Sequence, residues 1–316
     1  MSEVVIHPSD KLTDLEKKVR VATIFGTLQS TLINFRYLRK VWRKNQEEER
    51  LLGVSFTGID DHKIMSDSWG EWRDEYGNPD FEYFLGDRYS FHNTIWSLKD
   101  VLKHLKKVAR DTNREFAAIL GIPESKQIGL IKPSGTVSQL CGTSSGIHPR
   151  YAPYYLRRVT QDNKDPLTDL MIEQGVPHKR GAEKTHFSFP IKSPESSLVV
   201  KDVPALKQLE LWKKYRLYWC DGNPSCTVYY TDEDFFKVQS WVYDNFDIVG
   251  GLSFFPYDDY IYDKETQPYL PITKEEYEVA LQEFPSDISW DMTGREDDDN
   301  TTGSQEMACS GGSCEI

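Results

Sequence analysis

A loop whose composition suits phosphate binding lies near the middle of the sequence, where residues 133–136 read Pro-Ser-Gly-Thr. The stretch from Gln127 to Ile131 is typical of a buried strand, and a helix can begin at Val137. Backbone N–H groups at a helix start converge on an anion, and Gly135 lets a phosphate approach the chain closely. The loop's serine and threonine hydroxyls add donors. Taken alone, the tetrapeptide is more often an ordinary turn or cap, so that alternative stays open.

Four basic residues flank this loop in a chain that is otherwise acidic. Lys132 precedes it, and Arg150, Arg157 and Arg158 follow. We expect them to create a local positive field that suits a polyphosphate.

Two cysteines near the end of the sequence, Cys309 and Cys314, enclose two glycines that let the chain fold back so that the sulfurs meet. A disulfide closing so small a loop stabilises little, which argues against a structural role. An exposed pair instead suits a thiol relay, in which one thiolate attacks a disulfide elsewhere and an outside partner reduces the tail. Zinc normally needs four ligands, and no second pair with zinc-finger spacing occurs, so we predict no metal.

The other three cysteines are interpreted as structural. Cys141 stands alone in a loop of small residues and is expected to be a buried space filler. Cys220 and Cys226 flank a turn, and the segment Ser225 to Tyr230 is typical of a buried strand.

Asp60, Asp61 and His62 suggest a metal cluster, but without a third ligand position at regular spacing a loop after a strand is the preferred interpretation. His148 lies close to the phosphate loop in sequence. It either meets substrate or, at least as often for a turn histidine, bonds to the backbone.

The elements that must position these residues alternate between helices and strands. Capping signals at Thr13/Glu16, Ser97/Asp100, Thr231/Asp234 and Thr273/Glu276 predict four helices, the second ending at Gly121. Further helices are expected from Asp165 and after Asp202, and strands at Leu51–Thr57, Gln127–Ile131, Ser225–Tyr230 and Gly250–Phe255. This alternation favours an α/β fold with a parallel sheet, open or closed into a barrel.

Composition narrows the classes of partner. The 316 residues are 38% hydrophobic, a globular balance, and carry a net charge of −12, which disfavours nucleic acid as a partner. No apolar run is long enough to cross a bilayer and the first residues lack a secretion signal, so we expect a cytoplasmic protein with no membrane partner.

The segment from 131 to 159, IKPSGTVSQLCGTSSGIHPRYAPYYLRRV, resembles the substrate-phosphate segment of monomeric, class II, adenosylcobalamin-dependent ribonucleoside triphosphate reductases. EERLLGVSFTGI at 48–59, GGLSFFPYD at 250–258 and the terminal Cys-x4-Cys occur in the order that family shows. Other reductase classes share the loop and some share the tail, whereas HPRYAPYYLRRV is similar to the cobalamin type. The resemblance covers nearly the whole chain.

This resemblance implies the C-terminal half of a ten-stranded α/β barrel with a flexible C-terminal tail. It implies an oxidoreductase that reduces ribonucleotides to 2′-deoxyribonucleotides, with adenosylcobalamin as cofactor and a cysteine thiyl radical that abstracts hydrogen from the ribose 3′ carbon. It assigns substrate phosphates to Pro133, Ser134, Gly135, Thr136 and Val137. It assigns the relay with thioredoxin or a similar reductant to Cys309 and Cys314.

One departure from the family is large. The radical cysteine of the family lies on a loop resembling Asn-x-Cys-x-Glu, and no such motif occurs in these 316 residues. We therefore expect an N-terminal reductase half on another chain, and inactivity without it. Residues that contact cobalamin are not assigned.

The expected division is a barrel half at 1–265, a helical segment at 266–290 and a mobile redox-active tail at 291–316. Two rivals stay open. One is an inert reductase fragment that retains nucleotide or partner binding, and the other is a self-sufficient oxidoreductase that uses the tail thiols on a different substrate.

Overall fold

The chain divides into two compact units in the computed structural model, which describes residues 1–67, 84, 96–257 and 267–291. Of the described residues, the first unit comprises those within Met1–Arg150 and Ser196–Tyr257, and the second comprises Tyr151–Glu195 and 267–291. None of the helices within the described ranges is long and apolar enough to cross a membrane.

Helices and short strands make up the first unit. The described strands are β1 (Ser2–Val5), β2 (Val54–Thr57), β6 (Thr227–Tyr230) and β7 (Ser253–Pro256). The described helices are α1 (Leu12–Gln29), α2 (Lys40–Glu49), α3 (Leu98–Leu120), α4 (Val137–Leu140), α6 (Ala205–Tyr218) and α7 (Phe235–Asp244). Single 3-10 turns occur at Ile59–Asp61 and Val200–Asp202.

A layer of parallel chain segments forms the centre of the first unit. β1 pairs in parallel with β2, and β6 pairs in parallel with β7. Residues 127–131 lie between the two pairs: Val54 bridges to Gly129 in parallel, and Ser225 N donates to Ile131 O at 3.0 Å. Because the segments run the same way, the loops that follow them, including 132–136, leave the same edge of the layer.

Aromatic side chains of α6 and of Trp219, the residue that follows it, cover this layer. Trp212, Tyr215 and Trp219 are fully buried, and the ring centroids of Trp219 and Phe56 lie 4.4 Å apart. Each buried indole finds an acceptor, because Trp212 Nε1 donates to Pro224 O at 2.9 Å and Trp219 Nε1 donates to the backbone of Leu130 at 3.3 Å. Each indole ring buries a large apolar area and also has its N–H hydrogen-bonded, and together these contacts hold α6 against the strands.

The second unit is built on an antiparallel sheet with the strand order β4-β5-β3-β8. Its strands are β3 (Tyr154–Asp162), β4 (His178–Arg180), β5 (Lys184–Lys192) and β8 (Tyr269–Pro271), and its helices are α5 (Pro166–Glu173) and α8 (Lys274–Glu283). Phe187 on β5 is fully buried with Met171 and Val176 in a small core of its own.

Most predicted elements are confirmed. The helix from Ser97 spans Leu98–Leu120 and ends at Gly121, whose φ of 64° is the left-handed value that a Gly cap supplies. The elements at Val137, Asp165, Pro204, Ser225, Gly250 and Thr273 also occur.

Two predicted caps were wrong. α1 begins at Leu12, and the Lys11 backbone N donates to Asp14, so Thr13 lies inside the helix. α7 begins at Phe235 after Asp234. Thr231 Oγ1 donates to Asp234 Oδ2 and Thr231 O accepts from Asp234 N, both at 3.0 Å, so Thr231 lies before the cap. The antiparallel sheet of the second unit was not predicted. The mixed α/β class agrees with the expected class, and residues 292–316, with the expected tail, lie outside the described residues.

Candidate functional site

The predicted phosphate loop follows the buried segment 127–131 at the edge of the parallel layer. Gly135, Thr136 and Val137 are exposed. In the described part of the chain, their backbone N–H groups donate no hydrogen bond. A Cβ built on Gly135 meets no described heavy atom within 4 Å, so the approach to the loop is open.

Ser134 is buried and organises the loop from within. Its backbone N donates to Ser145 Oγ at 2.8 Å, and its Oγ accepts from Ser138 N at 2.9 Å. The same Oγ donates to Glu3 Oε2 at 3.0 Å. Burial raises the pKa of Glu3, and the hydrogen bond from Ser134 acts in the opposite direction. In this arrangement the Ser134 hydroxyl is bonded within the loop and holds the first turn of α4.

The loop at 142–148 packs beside the phosphate loop. Gly146 has a φ of 53°, and a Cβ there would lie 3.1 Å from Lys132 O, so this close approach requires glycine. Ser144 O accepts from Thr57 Oγ1 at 2.8 Å and from Gly58 N at 2.7 Å, which ties the loop to the end of β2.

Asp61 and Arg150 form a buried ion pair under this loop. Arg150 Nε and Nη2 each donate to one Asp61 oxygen at 2.9 Å. Asp61 also accepts from Ser144 N and from Ser197 Oγ, both at 2.7 Å. The expectation that Arg150 supplies positive field to a polyphosphate was wrong, because Asp61 neutralises it in the interior.

The other three basic residues that flank the loop in sequence have defined positions in the structure. Lys132 Nζ donates to Ser225 Oγ at 2.8 Å. Arg157 and Arg158 belong to β3 of the second unit, where the Arg157 guanidinium lies 4.3 Å from the ring centroid of Tyr269.

Asp60 is as buried as Asp61 but is bonded differently. Its Oδ2 has no hydrogen-bond partner among the described residues. Burial raises the pKa of Asp60 to about 8, the charge of Asp61 adds to the rise, and Lys207 opposes it. This carboxyl therefore resists ionisation at neutral pH.

His62, which is buried, and His148, which is half-buried, use both ring nitrogens on backbone groups. His62 Nε2 meets Asp10 O at 3.0 Å, and its Nδ1 accepts from the amides of Ile64 and Met65. His148 Nδ1 meets Ser145 O at 2.7 Å, and its Nε2 accepts from Thr227 N at 3.0 Å. Burial lowers the pKa of each. The backbone-bonded interpretation of His148 is confirmed.

The cysteines divide by exposure. Cys220 and Cys226 are buried, as predicted, and burial raises the pKa of Cys220 to about 12 and that of Cys226 further. The prediction of a buried Cys141 was wrong, since this thiol is exposed after the single turn of α4. Cys309 and Cys314 lie outside the described residues.

Sequence reasoning missed the residues that hold the loops from a distance. Glu3 and the Asp61–Arg150 pair lie far apart in sequence from what they bind, so no local spacing reveals them. One sequence feature could have indicated these contacts: the strand ends were predicted to be buried, and a buried acidic residue must find a partner.

Comparisons with known proteins agree on one group of relatives. The "Adenosylcobalamin-dependent ribonucleoside-triphosphate reductase" of Levilactobacillus brevis is 24% identical over 296 residues, covering 88% of this chain and 38% of the relative. The protein of the same name from Lactobacillus delbrueckii subsp. bulgaricus is 26% identical over 294 residues with the same coverage. The Euglena gracilis protein of that name is 28% identical over 201 residues, or 62% of this chain and 27% of that protein.

The comparison with solved structures finds a similar fold. A crystal structure of a B12-dependent (class II) ribonucleotide reductase superposes with a TM-score of 0.69 at 23% identity, covering 87% of this chain and 38% of that chain. No protein-family profile matches the sequence. The chain spans about 38% of the length of the curated reductases that it matches over most of its own length. Over most of its length, this chain is thus similar in sequence to a region of the proteins named adenosylcobalamin-dependent ribonucleoside-triphosphate reductase, and it shares the fold of a class II ribonucleotide reductase.

Proposed function

We propose that this chain is the substrate-phosphate part of a ribonucleoside-triphosphate reductase, an oxidoreductase that converts ribonucleotides to 2′-deoxyribonucleotides. The observation that carries the proposal is the row of exposed backbone N–H groups at Gly135, Thr136 and Val137, at the edge of the parallel layer. This row lies within the segment that resembles the substrate-phosphate segment of the family.

The row suits a phosphate for electrostatic and steric reasons. Adjacent N–H dipoles that point to one place attract negative charge without any cationic side chain. Gly135 has no Cβ to hold a phosphate oxygen away from the backbone. Pro133 removes one donor and restricts the chain before the row, and buried Ser134 fixes the turn.

Replacing Gly135 with valine tests the loop directly. Because the position is open on its protein side and its φ is not left-handed, Gly135→Val should fold normally. We expect nucleoside triphosphate affinity to fall by about tenfold or more, since the side chain blocks backbone approach. Isothermal titration of the full chain with ATP measures this change.

Gln139→Val is the matched control, because Gln139 is exposed on the same short helix and contributes none of the three N–H groups of the row. Its affinity should equal that of the unmodified chain. If Gly135→Val also binds ATP unchanged, the phosphate assignment is wrong.

The radical loop is proposed to come from a companion polypeptide, an N-terminal reductase half bearing Asn-x-Cys-x-Glu, with substrate bound across the junction. Two features support this. The motif is missing from the 316 residues, and β7 is an edge strand that, within the described ranges, pairs only with β6 and exposes Phe254. An unpaired, partly apolar strand edge is a template for pairing with another chain.

Adenosylcobalamin is the proposed cofactor of the assembled enzyme, and its chemical contribution is the radical formed when the cobalt–carbon bond breaks. His62 and His148 offer no ring nitrogen to cobalt, because both nitrogens of each are bonded to the backbone. We assign no cobalamin contact to this chain and derive no step through the cofactor. Cys309 and Cys314 are proposed to carry electrons from thioredoxin or a similar reductant.

The alternative is an inert fragment that retains nucleotide or partner binding. Both proposals predict loss of ATP affinity in Gly135→Val. Co-purification with a polypeptide bearing Asn-x-Cys-x-Glu, followed by reductase activity of the complex, distinguishes the enzyme from the fragment.

A further inference from the structure

Two exposed faces of the first unit carry opposite charges around exposed aromatic side chains. The basic face consists of residues 36–44, which lead into α2 and form its first half. The acidic face consists of the exposed residues between 232 and 247, on and beside α7. We propose that the basic face of one copy of this chain docks on the acidic face of a second copy. The inference does not rest on the function proposed above.

The basic face has five cations in nine residues of a chain whose net charge is −12, and all nine side chains are exposed. Arg43 and Lys44 each pair with a glutamate one turn further along α2. Arg36, Arg39 and Lys40 make no ion pair with any residue that the structure describes. These three positive charges are therefore available to a partner.

Large apolar side chains lie among these cations. Tyr37 is 99% exposed and Trp42 is 53% exposed, and Leu38 and Val41 are exposed beside them. α2 has no buried residue, so this helix lies on the surface of the unit. Contiguous exposed apolar area of this kind marks an interaction surface, and Trp, Tyr and Arg are the residues that contribute most to protein interfaces.

The acidic face presents aromatic rings as well. Phe236, Tyr243 and Phe246 are 74–83% exposed. Phe236 and Tyr243 lie seven residues apart on α7, so both point to the same side of the helix. The opposite side of α7 packs inward through Val238 and Trp241, which are buried.

Carboxylates surround these rings. Lys237 is the only basic residue between 232 and 247, and it already lies 4.0 Å from Asp234. Four further carboxylates are exposed and make no ion pair within the described ranges. They are Asp232, Glu233, Asp244 and Asp247.

A second copy of the chain is the partner that fits both faces. Three unpaired cations beside two aromatic rings match four unpaired carboxylates beside three rings, and complementary charge favours the correct pairing. An aromatic side chain buries roughly 150–250 Å² when it is fully covered, so five rings can supply a large part of the roughly 1,000 Å² that a specific interface needs. Nucleic acid and anionic lipid fit less well, because the net charge of −12 repels them. A two-fold arrangement would make both contacts at once, with α2 of each copy on α7 of the other.

Sedimentation velocity of the full chain over a range of concentrations tests the proposal. The unmodified chain should change from one copy to two as its concentration rises. Added salt should weaken the association, because it screens exposed charges. Trp42→Ser should weaken it at least about tenfold, because an aromatic ring is lost from the contact.

Charge reversal identifies which faces meet. The double variants Arg39→Glu/Lys40→Glu and Asp244→Lys/Asp247→Lys should each stay as single copies, since like charges then oppose each other. An equimolar mixture of the two double variants should associate again. In the mixture the two reversed faces match each other, and so do the two unmodified faces.

Lys107→Glu/Arg114→Glu is the matched control, because it reverses two exposed cations of α3 and changes the net charge equally. It should associate as the unmodified chain does. A single copy at every concentration of the unmodified chain overturns the proposal, and so does a mixture of the two double variants that does not associate. Growth beyond two copies supports the same contact, repeated in an open chain of copies.

Discussion

Asp60 and Asp61 are adjacent and equally buried, yet they have opposite electrostatic environments. Asp61 accepts four hydrogen bonds, two of them from Arg150, whereas Asp60 Oδ2 has no partner in the described part of the chain. A buried carboxylate with a cation remains charged, and one without such a partner favours its neutral form. The two residues therefore predict different responses to mutation and to pH.

Removing Arg150 should leave Asp61 as an uncompensated buried charge. Arg150→Met should lower the free energy of unfolding by about 3–5 kcal/mol, the usual cost of breaking a buried ion pair. Arg20→Met is the control, because Arg20 and Glu115 pair on the surface and such pairs contribute only about 0.2–1 kcal/mol. Urea titration of both variants measures the difference, and equal losses would contradict a structural role for the buried pair.

Asp60 should make stability fall as pH rises. Its pKa is raised from 3.8 to about 8, so between these values the folded chain holds a proton that the unfolded chain has released. The free energy of unfolding therefore decreases from about pH 4 to about pH 8, by roughly 1.4 kcal/mol for each pKa unit as an upper bound. Above that range the loss is complete.

The variant Asp60→Asn removes this proton. Relative to the unmodified chain, it should gain stability steadily from pH 5 to pH 8 in urea titrations. A difference between the two chains that does not change with pH would show that Asp60 is ionised in the folded state.

Among the elements, α3 is the best predicted from sequence. The Ser97 backbone N donates to Asp100 Oδ2 at 2.9 Å, and the Asp100 pKa is lowered chiefly by the hydrogen bond from the Ser97 side chain. Both ends of this helix are set by residues within one turn, which is why the local pattern is sufficient.

Ser97→Ala should lower the free energy of unfolding by about 1 kcal/mol, because the cap hydroxyl is lost. Ser97→Thr keeps a hydroxyl and should stay within a few tenths of a kcal/mol of the unmodified chain. Thermal unfolding followed by circular dichroism measures both variants. Equal stability of the two variants would mean that the cap does not contribute.

Elements that depend on distant partners were predicted less well. Residues 127–131 were recognised as buried, but their place between β2 and Ser225 depends on a contact about a hundred residues away. Most side chains of β3 and β5 are only half-buried on either face of the sheet. The alternation of apolar and polar residues that predicts a strand was therefore weak in these two segments. At the candidate site, the glycine and the strand before it were predictable, whereas the Ser134–Glu3 bond joins residues 131 apart.

For the whole molecule, the main proposal is that catalysis requires more than these 316 residues. The chain matches 38% of the length of its curated relatives, and the proposed tail relay and companion polypeptide must be tested in the assembled enzyme.

Cys309→Ser or Cys314→Ser, combined with the companion, should stop repeated turnover with thioredoxin after about one cycle, because one sulfur cannot pass on two electrons as a disulfide. Cys141→Ser is the control and should turn over repeatedly. Measuring deoxyribonucleotide formed per enzyme checks the relay, and continued turnover in either tail variant would disprove it.

Because Cys220 and Cys226 are buried, alkylation of the folded chain can report the oxidation state of the two tail cysteines. Only thiolates react readily with iodoacetamide, and the raised pKa values of Cys220 and Cys226 keep both protonated and out of reach while the protein is folded. Of the five cysteines, three then remain as candidates for alkylation in the native protein, and Cys141→Ser removes one of them. In that background, every carbamidomethyl group added to the native protein counts a reduced sulfur at position 309 or 314, so alkylation and mass measurement can follow the tail's oxidation state.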